Sequence, residues 1–285
     1  MPVCCSQDTA ASSVAPIHSA LPKDVLCGNR SAKNDNHQGD LMKQGLFTIE
    51  QNLPLTATVY RMVLSGDVSD ITAPGQFINI QLDGKFLRRP ISVYDVDATS
   101  VTIIYKVVGR GTEQMRRMLP GQTLDVLTGL GNGYDTAITG ERPLLVGGGV
   151  GVPPLYLLAK KLREQGKDVC VVLGFNTRDE VFCEQEFKDL GCAVTVTTVD
   201  GSYGVKGFVT NAMDVDYTHV CTCGPEPMLK AVYKACQTDG QFSFEERMGC
   251  GFGACMGCSC KTVTGYKRIC KEGPIMRKGD ILWQD

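Results

Sequence analysis

The chain has 285 residues, of which 43% are hydrophobic and 21% are charged, a composition typical of a globular protein of about two domains. Its formal net charge is −2, so charge gives no reason to expect a nucleic acid or an anionic membrane as a partner. Glycines and prolines interrupt the longest apolar run, 144–159, which argues against a spanning helix, and the N-terminus has no secretory signal pattern.

Residues 1–44 are predicted to form a mobile N-terminal extension. They are rich in Ser, Ala, Asn, Asp and Lys and show little periodicity, as in segments that cannot build a core. Cys4, Cys5 and Cys27 have no metal-ligand spacing there, so they are interpreted as unpaired surface thiols.

Residues 45–140 have the pattern of an antiparallel β-barrel. Apolar and polar residues alternate in the segments 55–64 and 76–82, and 91–108 has the pattern of a hairpin that turns near Asp97. A short helix is expected at 112–118. Several short strands at close spacing favour a small barrel.

Residues 141–240 alternate between buried strands and amphipathic helices. In the segment 153–166, Leu155, Leu158 and Leu162 fall on one helical face. This alternation predicts a parallel sheet with helices on both faces. Ligands of such sheets bind beyond the carboxyl ends of the strands.

Residues 241–285 hold a cluster of cysteines with distinctive spacing. Four residues separate Cys250 from Cys255, two separate Cys255 from Cys258, and eleven separate Cys258 from Cys270. The C-x4-C-x2-C…C pattern is typical of plant-type [2Fe-2S] ligands. Interleaved glycines allow the backbone to approach the cluster closely. These four cysteines are therefore the predicted metal ligands, and Cys260, the spare cysteine of the segment, is left out of the ligand set.

Two alternatives remain for these cysteines. Structural zinc sites commonly use two short cysteine pairs, whereas this segment has one short pair and one longer step. Disulfides or free thiols are the other possibility. A disulfide framework is typical of small secreted chains, so the 14 cysteines favour a reduced, cytoplasmic setting.

Three glycine-containing or arginine-containing motifs indicate nucleotide binding. Arg89 and Ser92 form an R-x-x-S step in which Arg suits a pyrophosphate and Ser suits the edge of a flavin. The segment 107–112 is a glycine turn before a helix, a place that favours phosphate. The segment 144–154 resembles a dinucleotide loop, although Val152 replaces its third glycine. A solvated arginine and simple tight turns are the alternative interpretation of the first two motifs.

Together the motifs resemble the ferredoxin–NADP reductase superfamily. The order is R-P-I-S at 89–92, G-G-G-V-G-V-P-P at 147–154, C-G-P-E-P-M at 223–228 and then the cysteine segment. Within this superfamily, the segments 245–262 and 268–283 are similar to the electron-transfer subunits of class 1B dihydroorotate dehydrogenases. The resemblance covers residues 45–285 and implies an antiparallel flavin-binding β-barrel, a parallel-sheet nicotinamide-binding domain and a small C-terminal [2Fe-2S] domain.

The resemblance also assigns residues to cofactors. The residues that it implies for FAD are Arg89, Pro90, Ile91, Ser92, Ile104, Tyr105, Lys106, Gly111 and Thr112. Those that it implies for the nicotinamide nucleotide are Gly149, Gly224 and Pro225. NAD is expected from the resemblance alone, because Arg178 would favour a 2′-phosphate whereas Asp179 and Glu180 would oppose one.

The activity that the resemblance implies is that of an oxidoreductase subunit. Electrons would pass from the FMN of a dihydroorotate-oxidising catalytic subunit through [2Fe-2S] and FAD to NAD+, in pyrimidine biosynthesis, within a heterotetramer. Alone, the chain would show NADH:acceptor activity. The alternatives are a small subunit of another iron–sulfur flavoprotein, of the NADH-dependent ferredoxin:NADP oxidoreductase or sulfide dehydrogenase type, and a zinc-stabilised flavin- or nucleotide-binding sensor without catalytic activity.

Overall fold

The computed structural model describes residues 42–283. The first six strands close into an antiparallel barrel in the order β1-β2-β5-β4-β3-β6. They are β1 (Lys43–Pro54), β2 (Val59–Ser65), β3 (Phe77–Gln81), β4 (Arg89–Val96), β5 (Ser100–Lys106) and β6 (Thr123–Leu130). The predicted barrel is thus confirmed. Cys4, Cys5, Cys27 and nearly all of the predicted extension lie outside the described residues, and β1 already includes residues 43 and 44.

Apolar side chains at alternate positions of the strands fill the barrel. Ile78, Ile80 and Ile103 are fully buried in its interior, as expected for every second residue of a strand. The predicted hairpin joins β4 to β5, and the carboxylate of Asp97 accepts hydrogen bonds from Ser100 within that turn. A short helix, α1 (Arg110–Arg116), follows β5 and starts two residues before the predicted position.

A second, seven-stranded sheet has the order β10-β9-β8-β7-β11-β12-β15. Six of its strands are parallel: β7 (Pro143–Gly148), β8 (Cys170–Phe175), β9 (Ala193–Thr198), β10 (Val205–Lys206), β11 (His219–Cys223) and β12 (Gly240–Ser243). The edge strand β15 (Ile275–Arg277) pairs antiparallel with β12.

Helices cover both faces of this sheet, as predicted. α2 (Pro153–Glu164) and α3 (Glu184–Asp189) pack Leu155 and Phe187 into one apolar layer. α4 (Glu226–Ala235) packs Leu229 and Val232 into the layer on the opposite face. Each helix therefore buries one stripe against the strands.

The cysteine-rich segment lies between two strands of this sheet. It leaves β12, forms a loop and a hairpin of β13 (Ser259–Thr262) and β14 (Gly265–Arg268), and returns as β15. The sheet therefore includes residues beyond 240, with β12 before the cysteine loop and β15 after the β13–β14 hairpin. The domain borders expected from the sequence stay predictions.

The described part of the chain contains no helix of the length and apolarity that crossing a bilayer requires. Its longest helix, α2, has 12 residues, whereas a spanning helix needs about 20.

Candidate functional site

A deep cleft of about 1850 Å³ opens between the barrel and the carboxyl edge of the parallel sheet. Its position agrees with the rule that ligands of open α/β sheets bind beyond the carboxyl ends of the strands. Eleven of the twelve predicted cofactor-binding residues line it. They are Arg89, Pro90, Ile91, Ser92, Ile104, Tyr105, Lys106, Thr112, Gly149, Gly224 and Pro225.

Gly111 is the predicted residue that does not line the cleft. Its backbone lies directly beneath the guanidinium of Arg89, and a Cβ at this position would collide with that group. Gly111 thus makes room for Arg89, which also donates a hydrogen bond to the carbonyl of Leu87. Gly111 therefore contributes to the site by leaving space for the Arg89 side chain and not by lining the cleft.

The side chains of Tyr105 and Thr112 hold the backbone that lines the cleft. The ring of Tyr105 is buried in the barrel core, and its hydroxyl donates to Oδ1 of Asn52 at 3.0 Å. The hydroxyl of Thr112 accepts from the backbone N–H groups of Val108 and Gly109 at 3.0 and 3.2 Å. These two side chains therefore brace the strand and the turn that face the cleft.

The sheet side of the cleft is formed by two glycine loops in close contact. Gly149 follows β7 with a φ of +53°, a conformation that favours glycine. A Cβ on Gly151 would collide with the carbonyl of Cys223, which begins the loop that follows the neighbouring strand β11. Burial raises the pKa of the Cys223 thiol to about 12, so this side chain stays neutral beside the cleft.

The cysteine loop brings its thiols together in two pairs. The N–H of Cys255 lies 3.4 Å from Sγ of Cys250, and the N–H of Cys270 lies 3.4 Å from Sγ of Cys258. A [2Fe-2S] cluster needs two thiolates on each iron, so this pairing fits the predicted ligand set. By contrast, Cys260 lies on β13 and lines the cleft.

Backbone N–H groups surround the sulfur atoms of this loop. The N–H groups of Ala254 and Cys255 donate to Sγ of Cys250 at 3.2 and 3.4 Å. The N–H of Cys270 donates to Sγ of Cys258 at 3.4 Å. Gly251 and Gly253, with φ of +80° and +90°, give the loop the left-handed turns that it needs.

The electrostatics of the loop favour the thiolate form at one of its cysteines. Burial raises the pKa of Cys250, but the N–H groups of Phe252, Cys255 and Ala254 outweigh it and lower the pKa to about 6. Burial and the neighbouring Cys258 raise the pKa of Cys270 to about 12. Neighbouring thiols resist losing their protons together, whereas a cation bound between them favours the thiolate form of both.

Between residues 42 and 283, no three His, Cys, Asp or Glu side chains converge on one point, and the eleven cysteines in that range are free thiols. The pairing of Cys250 with Cys255 and of Cys258 with Cys270 matches a two-iron cluster, in which each iron takes two of the four ligands.

Two asparagines that sequence reasoning missed attach the cysteine segment to the barrel. Asn132, just after β6, donates to the carbonyl of Ile275 at 2.8 Å and accepts from the N–H of Ile275 at 2.9 Å. Asn79 on β3 donates to the carbonyl of Cys250 at 3.3 Å. Neither contact leaves a signal in a local sequence pattern, because its partners are more than 140 positions apart.

Two family models match the chain. Residues 245–282 match the iron–sulfur cluster binding domain of dihydroorotate dehydrogenase B. Residues 145–234 match the oxidoreductase NAD-binding domain. The predicted iron–sulfur and nicotinamide cofactors are thus confirmed as to class.

Several solved structures share this fold. The chain is 31% identical to a protein solved in work on flavin-based electron bifurcation, the NADH-dependent reduced ferredoxin-NADP oxidoreductase, with a TM-score of 0.76 over 84% of this chain and 90% of that one. A ferredoxin NADP+ reductase from Neisseria gonorrhoeae with bound FAD and NADP shares the fold at 16% identity, with a TM-score of 0.58 over 68% of this chain and 90% of that one. The predicted fold class is confirmed.

Curated relatives match over most of their length. One from Geobacillus sp. (strain WCH70) is 43% identical over 257 residues, which cover 85% of this chain and 100% of the relative. One from Fusobacterium nucleatum is 44% identical over 251 residues, which cover 82% of this chain and 96% of the relative. Both are electron transfer subunits of dihydroorotate dehydrogenase B (NAD(+)). With this level of identity over nearly the whole of each relative, the chain belongs to the family of electron transfer subunits of dihydroorotate dehydrogenase B.

Proposed function

We propose that the chain carries electrons from the FMN of a dihydroorotate-oxidising partner through [2Fe-2S] and FAD to NAD+, as a step of pyrimidine biosynthesis. One observation carries the proposal. A single cleft joins the Arg89–Ser92 segment of β4 to the glycine loops of the sheet, and the cysteine loop is bonded to β3, the strand next to β4.

The barrel side of the cleft fits a flavin nucleotide. Arg89 would pair with a pyrophosphate, and the hydroxyl of Ser92, half-exposed at the cleft, would hydrogen-bond the flavin edge. Bound there, a flavin supplies the exchange between two-electron nicotinamide chemistry and one-electron cluster chemistry.

The sheet side fits a nicotinamide nucleotide. Gly149, Gly224 and Pro225 line the cleft opposite β4, where the absence of bulky side chains leaves room for a ring to face the flavin. We assign these three residues to NAD+ and the barrel residues, including Gly111 beneath Arg89, to FAD.

The cysteine loop fits a cluster that is accessible on one side. Cys258 and Cys270 are each 2% exposed, whereas Cys255 is exposed, between the partly exposed apolar side chains of Phe252 and Met256. The buried pair would exclude water from the side facing the barrel and the sheet. The exposed side, at Cys255, would give the catalytic partner access to the cluster.

The charged groups that follow β8 support NAD rather than NADP. Glu180 lines the cleft and accepts a hydrogen bond from the amide of Asn176 at 2.9 Å. Arg178, the group that would attract a 2′-phosphate, stacks over the ring of Tyr203 and does not line the cleft.

Replacing this carboxylate tests the nucleotide preference. We expect Glu180→Gln to improve NADPH relative to NADH by about fivefold in kcat/KM, since removing one repulsion near a partly exposed site changes binding by about 1 kcal/mol. Dye reduction with each nucleotide measures the ratio. An unchanged ratio would show that Glu180 does not face the 2′ position of the ribose.

The decisive experiment couples the chain to its partner. The complex with the FMN-containing catalytic subunit, purified without oxygen, should reduce NAD+ with dihydroorotate. The isolated chain should oxidise NADH with a dye but leave dihydroorotate unchanged. A complex that fails to reduce NAD+ although both subunits retain their cofactors would contradict the proposal.

A second candidate rests on the solved structure at 31% identity. That protein is an NADH-dependent reduced ferredoxin-NADP oxidoreductase, so this chain could serve as a small subunit of another iron–sulfur flavoprotein. The same coupled assay, with reduced ferredoxin in place of dihydroorotate, separates the two functions.

An assembly of two catalytic and two electron-transfer subunits and a cytoplasmic location belong to the same proposal. The names of the relatives support a partner subunit, and the free cysteines at 170–270 fit a reducing compartment. The mass of the purified complex measures the stoichiometry.

A further inference from the structure

Asn79 occupies an unusual place between the barrel and the cysteine loop. It lies on β3, directly opposite Pro90 of β4, and is 1% exposed. Its neighbours Ile78 and Ile80 point into the barrel core, so alternation along the strand directs Asn79 outward. It therefore faces the cysteine segment from the strand beside the proposed flavin residues.

The side chain of Asn79 contacts the loop at the first cysteine. Its Nδ2 donates to the carbonyl of Cys250 at 3.3 Å. Gly251 lies so close that a Cβ there would collide with the same Nδ2. The amide and the Cys250–Gly251 peptide are thus packed directly against each other.

Packing alone does not explain an asparagine at this position. Its Oδ1 is buried and, within residues 42–283, has no hydrogen-bond partner, which is destabilising for a polar atom. Leucine has nearly the same shape and no polar atom of its own to leave unpaired, but it would take away this donor from the carbonyl of Cys250. The donor to Cys250 is the contact that an apolar side chain cannot replace.

Fixing the Cys250 carbonyl fixes the orientation of a whole peptide unit. The peptide bond is planar, so the carbonyl of Cys250 and the N–H of Gly251 point in opposite directions. Beyond that peptide, the N–H groups of Ala254 and Cys255 reach back to Sγ of Cys250. A rotation of the peptide would change the path of the loop between the sulfur and its donors.

We propose that Asn79 is a positioning residue, through which the strand beside the flavin segment holds the Cys250 thiolate in its place in the cluster. This inference deepens the proposed function and rests on it. Groups that orient metal ligands from outside the coordination shell affect metal retention by about 10- to 100-fold.

The test uses two variants and one matched control in the full chain, purified without oxygen. Asn79→Leu removes the donor and keeps the shape. Asn79→Asp keeps the size and places an oxygen against the carbonyl. Asn52→Leu is the control, because Asn52 also donates from a barrel strand to backbone carbonyls, those of Met115 and Met118 at 2.8 and 3.0 Å, away from the cysteines.

The readouts are the EPR spectrum of the dithionite-reduced chain and the rate of iron release to a chelator. We expect both Asn79 variants to shift or broaden the EPR signal and to release iron about 10-fold faster. The Asn52→Leu variant should keep the wild-type EPR signal and iron-release rate. If Asn79→Leu does not fold, Asn79→Asp decides the question.

A wild-type EPR signal and iron-release rate in a folded Asn79 variant would overturn the inference. Wild-type chain that contains no iron–sulfur signal at all would instead overturn the proposed function. The two failures are therefore distinguishable by the wild-type spectrum.

Discussion

Among single residues, the four cysteines of the loop differ sharply in their surroundings. Cys258 and Cys270 are buried with Ile269 in an apolar layer, whereas Cys255 is exposed. The fifth cysteine of the segment, Cys260, is partly exposed on β13. Roles that the spacing alone assigned can therefore be tested one residue at a time.

Replacing a buried ligand should remove the cluster. We expect Cys258→Ser to lose most of its iron, because a serine oxygen is a poor substitute for a thiolate in a [2Fe-2S] site. Iron and sulfide analysis of the purified chain measures the loss. Cys260→Ser is the matched control and should keep wild-type iron, and full iron in Cys258→Ser would disprove the ligand assignment.

Removing the proposed pyrophosphate partner should weaken flavin binding. A hydrogen bond to a charged group is worth about 1.5–3 kcal/mol, so Arg89→Ala should lower FAD affinity by about 10- to 100-fold. Titration of the flavin-free chain with FAD measures it. Arg117→Ala removes an exposed arginine that pairs with Glu113 and should bind FAD normally, and equal affinities in both variants would count against Arg89.

Each site residue that the sequence predicted belongs to a short local motif. Spacing within a loop identifies Cys250 to Cys258, and a strand step identifies Arg89 and Ser92. Asn79 could not be found in this way, because its partner lies 171 positions away. Such contacts form when folded elements pack against one another, so a local sequence pattern cannot predict them.

At the scale of elements, the site depends on two neighbouring strands that end in glycine loops. β7 and β11 pair in parallel with Cys223 opposite Gly147, so their loops emerge side by side. Gly151 lets the first loop touch the second. Both loops line the sheet side of the cleft, which is the side that we assign to the nicotinamide nucleotide.

Adding one methyl group at this contact should affect the nucleotide but not the flavin. Gly151→Ala would collide with the carbonyl of Cys223, and we expect the KM for NADH to rise about 10-fold, the effect of roughly 1.4 kcal/mol. Steady-state dye reduction measures the KM. Gly279→Ala, where an added Cβ meets no atom within 4 Å, should behave as wild type, and an unchanged KM in Gly151→Ala would refute the contact.

Sequence patterns predicted the elements with strong periodicity and missed the shortest ones. Strands β2 to β5 and the helices on both faces of the sheet were predicted, because each repeats its apolar residues with a clear period. The short strands β10, β12, β13, β14 and β15 were not predicted. Runs of two to four residues are too short to show a period, and the place of β15 beside β12 follows from the path of the whole cysteine segment.

At the scale of the whole molecule, side chains from distant parts of the chain join the barrel to the sheet. Lys160 of α2 pairs with Asp95 of β4 at 2.8 Å, and the rings of Tyr94 and Tyr156 stack 4.4 Å apart. Asn132 attaches the segment that follows the cysteines. The cleft is thereby framed by parts of the chain that are held to one another directly.

Removing the hydrogen bonds of Asn132 should weaken the attachment of β15 to the barrel and lower the stability of the fold. Its side chain makes two short hydrogen bonds with the backbone of Ile275, so Asn132→Ala should lower the free energy of unfolding by about 2 kcal/mol. Thermal unfolding measures the change. The matched control is Asn211→Ala, which loses one exposed bond from the N–H of Phe208. Equal melting temperatures for the two variants would contradict the role of Asn132.

The visible spectrum of the chain purified without oxygen, with iron, sulfide and flavin measured on the same sample, tests whether this chain joins a flavin to an iron–sulfur cluster. We expect FAD bands with added long-wavelength absorption and about two irons per chain. Flavin without iron, or zinc in place of iron, would contradict this expectation.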